Sequence, residues 1–316
     1  MFPFFKKHDE STDDGDIVVV KKPAPNTCGG TYATQRKSAP TEIVSDEIVS
    51  FSVECSYRTA VFHDDTPEEE NIRFISAFAV PAEGGTFLVL EKEMGYYSSR
   101  KPPVWAYVRE DIFPELAAIV KEYDLAKGNG YHSNTAGLPE NFGGSVDIRY
   151  AGGERIDYSD NQTPMLNYKA AIAIAKVFDK AIQGEHIPLP DVETLEKVLF
   201  SEKRRDGGFV NAELTLNSDG TGVNRKQSRY DDPDKIFESE KPVEAEAVET
   251  IKKSITGCGM LAWVGLPENG YKQMYDKQLT FVFKDGREVT VMEDRLLPHS
   301  MSHGFFNIEL EMTTKH

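Results

Sequence analysis

Two histidines four residues apart can hold a metal ion when a helix sets both on one face, and His299 and His303 have that spacing. Glu309 or Asp294 would supply a third ligand. Gly304 follows at once, however, and no HExxH or second histidine pair completes a site, so two solvated histidines are the plainer reading. The thiols offer less. Cys28, Cys55 and Cys258 lie far apart with no CxxC pair, which argues against a disulfide framework or a cysteine zinc site and fits a reducing cytoplasm. Cys258 stands between Gly257 and Gly259, yet no basic neighbour in sequence lowers its pKa. The stretch GFVNAELTLNSDGTG (208–222) sets turn glycines beside Asp219 but lacks the Lys-Ser/Thr pair of a phosphate loop, and it reads as a hairpin turn. The acidic runs HDDTPEEE (63–70) and DDPD (231–234) lack the ligand spacing and central glycine of a calcium loop, and read as solvated loops. There is no GxSxG nucleophile turn. No residue is assigned a catalytic role and no cofactor is expected.

Binding has more to draw on. A turn follows each long helical pattern, LAKGNGYH (125–132) and LAWVGLPEN (261–269). Tyr131, His132, Trp263 and Tyr271 lie on or beside these turns, where aromatic side chains act as anchors. The competing reading for Trp263 is core packing under a helix end. The start, MFPFFKK, offers three phenylalanines and two lysines for docking, against the blander reading of a frayed terminus.

Charge narrows the ligand. The chain has 316 residues, 52 acidic against 36 basic, for a net charge of -16. Such a surface repels nucleic acid, and the densest basic stretch, Lys203 to Arg205, is too short to reverse that. No apolar stretch approaches the ~20 residues of a transmembrane segment. The start lacks the apolar region of a secretory signal. The partner expected is another protein; the oligomeric state stays open.

The elements that must position these residues follow from periodicity. Residues 1–41 read as a flexible acidic tail in which only Ile17 to Val20 suit a strand. Phe51, Val53, Cys55 and Tyr57 alternate as a half-buried strand. Residues 72–80 and 86–91 form a hairpin. Ile112, Leu116, Ile119, Val120 and Tyr123 share a helix face, with Asp111 as cap and Pro114 in the first turn. Val146, Ile148 and Tyr150 turn at Gly152-Gly153 into Ile156 and Tyr158. A second helix runs from Thr163 as cap and Pro164 as first residue to Gly184. In the second half, the period of 192–200 fits helix or strand, with its parallel to 48–57 favouring a strand, and 209–216 reads as a strand turning at 218–220. A helix buries Ala247, Val248, Ile251 and Ile255, and a hairpin turns at Asp285-Gly286.

LPEN occurs at 138–141 and again at 266–269, each time after a helix and before a strand–glycine turn–strand. Leu125-Ala126 is echoed by Leu261-Ala262, and Gly130 by Gly265. The run from Leu125-Ala126-Lys127-Gly128-Asn129-Gly130-Tyr131-His132 through GGSVDIRYAGGERIDYSDN to Pro164 and Tyr168 resembles a group of functionally uncharacterised bacterial proteins. There a helix, a short Trp- or Asn-Gly-containing turn and a strand–Gly–strand come in this order. The resemblance covers about half the chain, once per copy, although Lys127 stands where the other copy has Trp263. It implies a fold and no activity.

The expected fold class is therefore α+β: two similar units, each an antiparallel sheet with helices packed on one face. The first spans 42–185 and the second 192–316, joined by a linker at 186–191. The expected function is non-catalytic binding or scaffolding. The alternative is a hydrolase using acidic residues, metal-assisted near His299 and His303.

Overall fold

A computed structural model describes residues 16–22, 30–57, 71–95, 102–137, 143–230, 235–266, 275–293, 297 and 299–313. Fifteen strands and four α-helices lie among them. Both LPEN strings fall mainly outside the described residues, as do MFPFFKK, both acidic runs, Asp294 and Tyr271.

The strands are β1 (Ile17–Lys21), β2 (Gly30–Arg36), β3 (Ile48–Ser56), β4 (Ile72–Ala82), β5 (Gly85–Met94), β6 (Val104–Val108), β7 (Tyr131–Ala136), β8 (Gly143–Tyr150), β9 (Arg155–Asp160), β10 (Leu195–Arg204), β11 (Phe209–Leu216), β12 (Gly222–Arg229), β13 (Phe237–Val243), β14 (Tyr275–Phe283) and β15 (Glu288–Met292). The helices are α1 (Phe113–Glu122), α2 (Tyr168–Ile182), α3 (Ala245–Gly257) and α4 (His299–Thr313). One sheet has nine strands in the order β1-β2-β7-β9-β8-β3-β4-β5-β6, and the other six in the order β13-β12-β11-β10-β14-β15.

These sheets overturn the expected fold class. The chain is mostly β, not α+β. The first sheet is mixed, because β7 and β9 run parallel, while the second is wholly antiparallel. Two equal antiparallel sheets under helical lids are therefore not what the sequence builds. The physical reason lies in strands such as β2 (GTYATQR) and β7 (YHSNTA), where one residue each, Ala33 and Ser133, is buried. Inside a sheet the backbone ladder holds such strands whatever their side chains, so hydrophobic alternation does not announce them. The likeness of the halves is local: Leu125-Ala126 and Leu261-Ala262 both sit in short 3-10 turns after a left-handed residue, Asp124 at φ 50 and Gly259 at φ 60. It does not extend to the sheets.

Two helix starts also differ from expectation. Ile112, not Asp111, occupies the cap of α1, without a side-chain capping bond. For α2, Thr163 and Pro164 precede the helix, and the Asn167 side chain accepts the Lys169 N–H at 2.9 Å instead.

By its contacts the chain divides into two units. The first is Met1–Ala77, Glu91–Pro102 and Ile112–Phe178; the second is Phe78–Leu90, Pro103–Asp111 and Asp179–His316. In the first, alternation buries Phe51, Val53, Cys55 and Tyr57, and the Phe51 ring lies 6.3 Å from Phe178 of α2. Tyr57 donates to the Leu166 carbonyl at 2.8 Å, and burial pushes its phenol pKa up strongly. In the second, Val198, Phe200, Leu279, Phe281, Val248, Ile251, Trp263 and Phe305 join one core. Gly259 is required there: its positive φ disfavours a side chain, and a Cβ would stand 2.6 Å from the Trp105 ring.

Candidate functional site

The six-stranded sheet turns one face to its core and the other outward, because successive side chains point to opposite faces. Val198, Phe200, Val210, Ala212, Leu214, Leu279 and Phe281 take the buried face. The outward face forms an open groove of about 690 Å³. Register sets its residues in rows. One row runs Glu238, Gln227, Asn211, Ser201, Gln278 across five adjacent strands. The next runs Glu240, Arg225, Glu213, Leu199, Thr280.

Two of the three carboxylates of the groove are ion-paired, and the third, Glu238, meets an amide. Arg225 Nε reaches Glu240 at 2.8 Å, and Lys197 Nζ reaches Glu213 at 3.3 Å. Gln227 donates to Glu238 at 3.0 Å. The side chains of Asn211, Ser201 and Gln278 make no hydrogen bond among the described residues, so their amides and hydroxyl remain open to a ligand or to water. Apart from the Phe200 ring, which is buried in the core, the lining holds no aromatic residue.

A second cluster lies on the outward face of the first unit's strands. The parallel pairing of β7 and β9 sets His132 beside Ser159, with Nδ1 to Oγ at 3.0 Å. Asp157 lies 3.9 Å from the other ring nitrogen and is drawn by Arg155 at 3.3 Å. Arg155 also forks onto Asp147 through two bonds of 2.9 Å. Burial lowers the pKa of His132; Asp157 opposes that, while Arg36 and Arg155 add to it. The imidazole is thus favoured neutral, with Nδ1 beside a hydroxyl. A serine–histidine–carboxylate relay needs a hydrogen bond on both nitrogens, and 3.9 Å is too long for the second.

The residues singled out by sequence land unequally. Tyr131 and His132 are neighbours on β7, both half-buried. Trp263 belongs to the other unit, is 1% exposed, and donates its indole N–H to the Cys258 carbonyl at 3.0 Å, so it packs in the core. Tyr271 lies outside the described residues. His303 sits exposed on α4, which also carries His299. Glu309, read as a third metal ligand, is held by Lys277 Nζ at 2.8 and 2.9 Å. Among the described residues no three metal-type side chains gather. The Cys258 thiol is pushed up by burial, against a lesser lowering from Gly304. Residues such as Asn211, Ser201 and Gln278 gave no signal in sequence, because only strand register places them in line.

A scan against protein-family models gives no match, and a search of curated proteins gives none either. No described helix is long and apolar enough to cross a membrane.

Proposed function

We propose that this chain is a non-catalytic binding protein whose ligand lies across the outward face of the six-stranded sheet. The observation that carries the reading is the row Gln227, Asn211, Ser201, Gln278, four hydrogen-bonding side chains on four adjacent strands. With strands about 4.8 Å apart, the row spans roughly 14 Å, the length of a short chain of sugar rings. Amides and hydroxyls both donate and accept, which suits hydroxyl groups. Among the described residues the two ion pairs leave Glu238 as the one carboxylate of the groove without a cation, in a chain of net charge -16, so the groove disfavours an anionic ligand. Protein-binding faces centre on aromatic anchors, which this lining does not present. The ligand class is therefore a neutral oligosaccharide. We assign the protein to the cytoplasm, because the described cysteines Cys55 and Cys258 are free thiols.

Titration calorimetry of the whole chain against soluble neutral oligosaccharides tests this. Asn211→Ala and Gln278→Ala should each weaken binding about fivefold, as expected for one hydrogen bond of about 1 kcal/mol. Absence of binding to every neutral glycan, or affinity indifferent to both substitutions, would overturn the reading.

A second reading is hydrolysis by the Ser159–His132 pair alone, a nucleophile beside a base without the carboxylate bond of a full relay. Labelling of Ser159 by a fluorophosphonate, lost in His132→Asn, would support it; an unlabelled chain excludes a nucleophilic serine there.

A further inference from the structure

A strand at the edge of a sheet leaves main-chain donors and acceptors without neighbours, and it pairs with another chain unless charge, proline or a covering contact prevents it. Three of the four sheet edges carry such a device. Strand β13 sets Glu238, Glu240, Lys241 and Pro242 along its length. Strand β15 is five residues long and opens on Glu288. Strand β6 takes a bridge from His186 to Val108.

Strand β1 is as short as β15, ends on Lys21 and shifts register between Val19 and Lys21, but its first four residues are all branched and apolar. Its sequence is IVVVK, and among the described residues its sole neighbour is β2. Ile17, Val19 and Val20 are 45%, 46% and 54% exposed, so branched apolar side chains stand in water beside an open edge. Burying them against a second strand would gain both ladder bonds and apolar contact.

We propose that β1 pairs antiparallel with β1 of a second copy of this chain, giving a two-fold dimer. The charges flanking the strand select that occupant. Asp16 precedes it, and Lys21 and Lys22 close it. In an antiparallel pair the Asp16 end of each copy meets the Lys21–Lys22 end of the other, whereas a parallel pair would set lysines beside lysines. Asp16 is fixed for this role, since its carboxylate accepts the Ser38 N–H at 2.7 Å and the Ser38 hydroxyl. Segment 16–22 carries one acid and two bases, a net of +1, inside a chain of net charge -16. General repulsion between copies is therefore relieved at this strand. A two-fold contact uses the same surface on both copies and closes at two, so it does not propagate into fibres.

Sedimentation velocity on the full chain over a concentration series reads the outcome. The expected result is a species of twice the chain mass. Val19→Pro removes a main-chain donor, and Val19→Lys sets like charges together near the two-fold axis; each should weaken dimerisation at least about tenfold with unchanged far-ultraviolet circular dichroism. Where the proline variant fails to fold, Val19→Lys and an oxidised Val19→Cys decide, the latter forming a disulfide between copies. A chain that stays monomeric throughout, or a dimer that survives Val19→Lys in folded form, overturns the proposal.

Discussion

Asn129 is 1% exposed and spends its whole amide on the backbone. Its Nδ2 donates to the Pro40 and Arg155 carbonyls at 2.8 and 2.7 Å, and its Oδ1 accepts the Asp157 N–H at 2.8 Å. One side chain therefore fastens residue 40, the turn before β7 and strand β9, which carries Asp157 and Ser159 towards His132. Asn129→Ala would leave two carbonyls and an N–H buried without partners, at about 1–3 kcal/mol each in the worst case. We expect a net loss of about 3 kcal/mol in urea unfolding, with Asn129→Asp also poor because the isosteric carboxylate cannot donate to the two carbonyls. His132 makes a pH prediction of definite sign. Burial holds its folded pKa below the unfolded value of about 6.5, so the unfolded chain binds more protons as pH falls through that value. Stability from this residue is complete above the unfolded pKa and is lost as pH falls towards the folded one. Wild-type melting temperature should therefore drop relative to His132→Asn between about pH 7 and pH 5. A constant difference between the two would show that the imidazole does not titrate differently on folding.

Helix α4 shows what decides placement at the scale of elements. Lys277 of β14 is 14% exposed in its side chain and meets Glu309 of α4, with Glu293 at 3.9 Å and Glu202 at 4.0 Å. Burial pulls the Lys277 pKa down, but the Glu309 bond and the neighbouring carboxylates outweigh it and keep the ammonium charged. Asn224 and Lys226 of β12 add bonds to the Met312 and Thr313 carbonyls at 2.8 and 2.7 Å. Removing the cation takes from Glu309 its two bonds to Lys277, while Glu202 keeps Arg204 at 2.9 Å, so Lys277→Ala should cost about 2–3 kcal/mol and loosen α4 in hydrogen exchange. Gly304 gives an independent test of the same helix. A Cβ there would stand 2.6 Å from Cys258 Sγ and 2.7 Å from Met260 Cε. Gly304→Ala should destabilise by about 1–2 kcal/mol despite the better helix propensity of alanine. Pairing it with Cys258→Ala, which removes the sulfur, should recover most of that loss; a double variant no better than the single one would refute the contact.

Over the whole molecule the dominant property is the charge of -16, which stores self-repulsion in the folded state. Ions screen it, so melting temperature should rise as sodium chloride goes from about 10 to about 200 mM, where the screening length falls from about 30 Å towards 7 Å. A falling melting temperature would mean that surface ion pairs such as Arg225–Glu240 outweigh the repulsion. That charge was legible by counting, and so was much of the local order. The alternation of Phe51, Val53 and Cys55 gave β3, and Val248, Ile251 and Ile255 gave the buried face of α3. Glycine turns gave the β8–β9, β11–β12 and β14–β15 hairpins. All of these are written within a few residues, where side-chain period and turn geometry act directly. Strands β2 and β7 were illegible because their neighbours in space, not their own side chains, hold them. The parallel pairing that sets His132 against Ser159, and the register that aligns Gln227, Asn211, Ser201 and Gln278, belong to the tertiary structure alone. Local chemistry determines what each segment becomes; which segments lie side by side depends on the burial and backbone pairing of the whole chain, and those sum over residues far apart in sequence.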